Sequence, residues 1–147
     1  DGAGKGATVD RRKVPLVEWH KLPAAQQQRV LRMCVLLRIA CGIASAAGHL
    51  HDRALMHGDL YAHNVLVNAH GDCLLGDFGA ATFYPAAASE LQRIEVRAFG
   101  ILMEEILDRC ADRAGLPATL IALPALCIQP DVSARPGFCG IMEMLRD

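Results

Sequence analysis

The stretch HGDLYAHNVLVNAHGDCLLGDFG, His57 to Gly79, sets two short apolar runs between three loops rich in polar residues. Val65-Leu66-Val67 and Cys73-Leu74-Leu75 flank NAHGD, whose Asn, Gly and Asp are turn formers, so the pair is predicted to form a β-hairpin. Asp59 and Asn64 stand five positions apart in the irregular segment ahead of the hairpin, and Asp77 follows closely behind it. Closing the hairpin folds Asp77 back beside Asn64, and three oxygen-bearing side chains converge. Such a set suits Mg²⁺, which takes one or two protein groups and completes its shell with water and substrate phosphates. A carboxylate left clear of the metal can accept a hydroxyl proton.

Outward from this stretch the apolar pattern turns helical. From about 26 to 52, Val30, Cys34, Leu37, Cys41, Ala44 and Leu50 fall on one stripe with further apolar residues around it. This predicts a long, largely buried helix with Pro23 near its start and a break within 53–58. Ile94, Phe99, Leu102, Met103, Ile106 and Leu107 predict a second buried helix over 91–109, and Gly115 with Pro117 marks the next break. Two shorter helices are predicted over 116–127 and 137–146, separated by the loop QPDVSARP. The predicted fold class is mainly α with a small β-hairpin.

Residues 1–13, DGAGKGATVDRRK, read as a flexible entry segment. Gly4-Lys5 does not make a phosphate-binding loop, because Gly6 rather than Ser or Thr follows it and no glycine stands five residues ahead.

Of the 147 residues, 52% are hydrophobic and 21% charged, which is the composition of one globular unit with room for a core. The 15 basic and 16 acidic residues leave a net charge of -1, so there is no broad basic footprint for nucleic acid or an acidic membrane surface. The longest apolar stretch, about 33–50, is broken by Arg38, Gly42 and Gly48, and no membrane segment is expected. Six cysteines without a Cys-x-x-Cys pair read as reduced, mostly buried thiols of a cytoplasmic protein, and their spacing to His49, His51 and His57 matches no zinc finger or ribbon.

Taken together, these residues resemble the protein kinases, whose catalytic loop reads His-Arg-Asp followed by Asn and whose metal-binding turn reads Asp-Phe-Gly. HGDLYAHN keeps His57, Asp59, Leu60 and Asn64 in register, and Asp77-Phe78-Gly79 is intact. EVRAFGILMEEIL resembles the family's Asp-Val-Trp-Ser-Phe-Gly helix, and Cys127, Pro130, Arg135-Pro136, Phe138 and Ile141 match the pattern of its final helices. The resemblance covers about 14–146 and lies within the larger, C-terminal lobe. It implies a protein-kinase-like C-terminal lobe over 14–147 that works with ATP and Mg²⁺ on a protein substrate, serine/threonine being favoured over tyrosine. It also implies the roles: Asp59 orients or deprotonates the acceptor hydroxyl with Asn64 beside it, Asn64 and Asp77 hold Mg²⁺, and Leu66 and Asp77 contact ATP, Leu66 as the floor of the adenine pocket. His57 and Phe78 are expected to stack beneath the site.

Several positions depart from the family pattern. No glycine-rich strand pair or Val-Ala-Ile-Lys segment precedes His57, and from about Lys13 the chain is expected to enter helices of the larger lobe. The sequence thus reads as a truncated catalytic domain, a lobe without its N-terminal partner, that alone binds ATP poorly. Gly58 replaces the arginine before the catalytic aspartate, a non-RD pattern, so hydroxyls at Thr82, Tyr84 and Ser89 have no guanidinium to read their phosphates. Asp77 to Glu95 spans only 18 positions, leaving little platform for a peptide; no clear Ala-Pro-Glu follows, and if Ala88-Ser89-Glu90 is its remnant, Glu90 either pairs with Arg135, as the family's Glu and Arg do, or is solvated. Tyr61 occupies the place of a γ-phosphate-steadying lysine, and Glu95 that of a capping aspartate whose reach to loop amides it can match. The rival readings are a pseudokinase or scaffold module and a small-molecule kinase of the same superfamily.

Overall fold

A computed structural model of the chain describes residues 14–15, 33–110 and 113–147. The expected entry segment 1–13, Pro23 and the first turns of the helix predicted from 26 lie outside them. The described elements are mostly helical: α1 (Met33–His51), α2 (Gln92–Asp108), α3 (Ala118–Ile128) and α4 (Phe138–Arg146). Five strands of two or three residues complete them: β1 (Val14–Pro15), β2 (Leu55–Met56), β3 (Val65–Val67), β4 (Cys73–Leu75) and β5 (Thr82–Phe83).

The predicted hairpin forms, with Val65 opposite Leu75 and Val67 opposite Cys73. Its turn is held by Asn68, whose Oδ1 accepts the amides of His70 at 2.9 Å and Asp72 at 3.0 Å, while Gly71 supplies a φ of 85°. A third strand was not foreseen. Val14–Pro15 pairs with β3 instead of starting a helix, because proline lacks a donor and holds the residue before it extended, which suits a sheet edge.

α1 buries Val35, Leu36, Ile39, Ala40, Ile43, Ala44 and Ala47, repeating every three to four residues. The stripe is rotated from the predicted one, since Leu37, Cys41 and Leu50 are half-buried. In a helix apolar nearly all round, periodicity cannot choose the face; the neighbouring elements do. α4 lies against one side of α1, with Phe138 Cβ 3.3 Å from the space beside Gly48, and the hairpin lies against another. α2 and α3 complete the core: Gly100 lets α3 approach so closely that an added Cβ would stand 2.6 Å from Cys127 Cβ. Phe99, Leu102, Met103, Ile106, Leu107, Leu120 and Leu123 fill the space between them. Among the described residues no helix is long and apolar enough to cross a membrane.

Candidate active site

α1 ends in a tight turn closed by Ala54 at a φ of 54°, and β2 then leads into His57. The ring of His57 is fully buried and uses both nitrogens. Nδ1 accepts the Asp59 amide at 3.2 Å, so Nε2 carries the hydrogen and donates to the Gly76 carbonyl at 2.7 Å. One imidazole therefore joins the loop before the hairpin to the loop after it. Phe78 meets this ring edge-on, with centroids 4.9 Å apart, the stacking expected from sequence.

A 3₁₀ turn over Ala62–Asn64 brings Asn64 back onto Asp59. Asn64 Nδ2 donates to the Asp59 carbonyl at 2.8 Å and to Asp59 Oδ2 at 2.9 Å. With the amide nitrogen engaged, Asn64 Oδ1 is left as an oxygen donor. The Gly76 amide donates to the Asn64 carbonyl at 2.8 Å, so the residue preceding Asp77 is tied directly to Asn64. Asp77 itself adopts a φ of 53°, a left-handed conformation that aspartate tolerates better than most residues, and its Oδ1 accepts the Gly79 amide at 3.2 Å. Gly58 takes a φ of 81°, and a Cβ there would lie 2.4 Å from the Ala80 carbonyl oxygen. The backbone after Asp77 thus packs onto the backbone before Asp59, a contact open only to glycine.

Below this assembly lies Glu95, 3% exposed. Its two oxygens accept the His57 amide at 3.1 and 3.0 Å, and Oε2 also faces His51 Nε2 at 3.3 Å. The carboxylate from α2 therefore anchors both the loop and the end of α1. Its loop contact fits the capping role anticipated for Glu95, whereas the partnership with His51 was missed. The available signal was spacing: Val35, Ile39, Ile43, Ala47 and His51 are four apart, which puts His51 on the buried face of α1.

A family model described as protein tyrosine and serine/threonine kinase matches residues 16–97, more than half of the chain. The chain belongs to the protein kinase family. It is 38% identical over 56 residues to the serine/threonine-protein kinase US3 homolog of Cercopithecine herpesvirus 9 (strain DHV), covering 38% of this chain and 16% of that protein. It is 34% identical over 85 residues to the L-type lectin-domain containing receptor kinase SIT1 of Oryza sativa subsp. japonica, covering 56% and 13%. The tyrosine-protein kinase Srms of Homo sapiens is 30% identical over 100 residues, covering 53% and 20%. In each case the matched region spans a fifth or less of the relative.

Two positions that the sequence left open take a definite form in the structure. Glu90 and Arg135 make no ion pair among the described residues: Glu90 is exposed, and Arg135 donates from Nε to the Gln129 carbonyl at 2.7 Å and from an Nη to the Arg93 carbonyl at 3.1 Å. The Ala88-Ser89-Glu90 turn runs straight into α2, whose Arg93 carbonyl takes one of the Arg135 donors. Tyr84 is buried, its hydroxyl donating to the His51 carbonyl at 3.1 Å and accepting from Gln92 Nε2 at 2.7 Å, and its amide bonds the Ala54 carbonyl at 2.9 Å. Of the three candidate hydroxyl residues only Thr82 and Ser89 are exposed. Tyr61 projects from the loop and stacks on His63, with centroids 5.5 Å apart and planes within 13°.

Proposed function

We propose that the described residues 33–110 and 113–147, with β1, form the larger lobe of a protein kinase that transfers the γ-phosphoryl group of ATP to a hydroxyl of a protein substrate inside the cell. The observation that carries this reading is the bond of Asn64 Nδ2 to Asp59 Oδ2: it fixes the Asp59 carboxyl beside Asn64 and engages the amide nitrogen of Asn64 rather than its Oδ1. Asn64 Oδ1 and the Asp77 carboxylate are then the protein ligands of Mg²⁺, a donor set small enough for an ion that also binds the nucleotide phosphates. When bound, Mg²⁺ neutralises charge developing on the phosphates.

In the proposed reaction the acceptor oxygen bonds to the γ-phosphorus and the bond to the β-bridging oxygen breaks, releasing ADP, while Asp59 receives the hydroxyl proton. His57 fixes the Asp59 amide, and Glu95 fixes His57, so the carboxylate is positioned before substrate arrives. Leu66 offers its side chain to the adenine. Leu66, Leu74 and Phe78, with 38%, 54% and 49% exposure, make an apolar surface suited to a smaller N-terminal lobe that would close over the nucleotide.

Millimolar Mg²⁺-ATP should raise the melting temperature by about 2–4 °C, as expected for a weak ligand of a domain this size, and Asp77→Asn should abolish the rise. Transfer of labelled γ-phosphate should be lost in Asp59→Asn. An equal melting shift in wild type and Asp77→Asn would refute the proposed metal site.

A further inference from the structure

α4 begins at Phe138 with Gly137 as its N-cap, so no side chain caps the helix. Its first bond runs from the Ile141 amide to the Gly137 carbonyl at 3.0 Å, and the amides of Phe138, Cys139 and Gly140 ahead of it have no carbonyl partner in the helix. A cation stands where a capping oxygen normally would: a Cβ on Gly137 would lie 3.1 Å from Arg93 Nη1 and 3.9 Å from the guanidinium carbon. Arg93 Nη1 is fully buried and has no hydrogen-bond acceptor. Arg135, two residues before Gly137, is 8% exposed, and its guanidinium donates to the carbonyls of Gln129 and Arg93 rather than to a carboxylate. Asp131 spends Oδ1 on the amide and hydroxyl of Ser133, at 2.9 and 2.7 Å, and Glu90 is exposed. Among the described residues, two guanidinium charges thus gather at the positive end of a helix with no anion between them, an arrangement that costs free energy until one is supplied.

We propose that this corner, between the start of α2 and the start of α4, binds a phosphate dianion, either free or as the monoester of a phosphorylated protein side chain. Amides fanned around a helix N-terminus suit an oxyanion, and the guanidinium fork of Arg93 adds charge-assisted bonds. A tetrahedral dianion offers oxygens to both sets at once, whereas a carboxylate presents two oxygens in one plane. Arg135 positions Arg93 through the 3.1 Å bond to its carbonyl, and its charge adds to the field at the site. Gly137 has a φ of −82°, which any residue adopts, so the backbone does not demand glycine there; the missing side chain leaves room for the anion. Gly137 and Gly140 are half-buried and Cys139 is exposed, which opens the corner to solvent. The inference stands apart from the phosphotransfer reading, since Asp59, Asn64 and Asp77 take no part in it.

Inorganic phosphate titrated into the isotope-labelled chain, with EDTA present and potassium chloride at equal ionic strength as the control, tests this through the amide signals of Phe138, Cys139 and Gly140. Saturable shifts at these amides are expected with phosphate and not with chloride, and the melting temperature should rise by about 2–4 °C near saturation. Arg93→Gln should abolish both effects. Gly137→Asp brings a carboxylate to the N-cap on a backbone that accepts it, so it should raise the melting temperature without ligand and remove the response to phosphate. A phosphoserine peptide that saturates the same amides at lower concentration than phosphate would assign the ligand to a protein side chain, and the reverse order would assign it to the free ion; either order keeps the site. Shifts that do not saturate, an equal response to acetate, a response that survives Arg93→Gln, or one that is lost in Asp77→Asn would overturn the proposal.

Discussion

His57 uses its amide and both ring nitrogens to tie together two loops and a helix, and its neighbour Gly58 makes the closest backbone approach of the site. At Gly58 the non-RD pattern acquires a physical reason. A φ of 81° already penalises any side chain, and a Cβ at 2.4 Å from the Ala80 oxygen cannot be absorbed by a rotamer change. Gly58→Arg, which rebuilds the usual kinase motif, should therefore cost about 2–3 kcal/mol of stability and shift the turn after Phe78. Urea unfolding checks it; a neutral substitution would show that the loop has another accessible conformation. At this scale the sequence was informative where motif and geometry coincide, as at Asp59, Asn64 and the His57–Phe78 stack. It was silent on Gly58, because a left-handed backbone leaves no mark that separates it from any other glycine.

At the scale of elements, burial was harder to read than helicity. All four helices were legible from apolar spacing, but in α1 and α2 the apolar residues outnumber the buried positions, so Leu37 and Ile94 were assigned inward when packing leaves Leu37 half-buried at the core's edge and Ile94 exposed. The strand at Val14–Pro15 was illegible because two residues carry no period; only the hairpin edge recruits them. The α2–α3 contact makes a further prediction. Burial against Gly100 pushes the Cys127 thiol up from 9.0 to about 12. The folded state keeps the neutral thiol while the unfolded chain ionises from 9.0, so this contribution is complete below pH 9.0 and vanishes as pH rises towards about 12. Wild type should lose stability across that window more steeply than Cys127→Ala. Parallel slopes in alkaline denaturation would contradict the packing described.

Over the whole molecule, two apolar regions of different character share the chain. The core around Leu36, Ile39, Phe99 and Leu123 is sealed, whereas Leu66, Leu74 and Phe78 stand at the surface beside the proposed nucleotide site. Leu36→Ala should cost about 2–5 kcal/mol, while Leu74→Asp should change stability by less than about 0.5 kcal/mol. Comparable losses by calorimetry would mean that Leu74 is covered within this chain and does not serve an added lobe. The net charge of -1 gives no general attraction for polyphosphate, so the proposed nucleotide binding depends on the local site that Asn64 and Asp77 would supply. That dependence is open to one direct measurement: Mn²⁺ titrated with ATP into the isotope-labelled chain, followed by paramagnetic broadening of backbone amide signals. The proposed site predicts selective broadening at Asn64, Val65 and Gly76 to Gly79, lost in Asp77→Asn. Broadening centred elsewhere, or unchanged by that substitution, would contradict it.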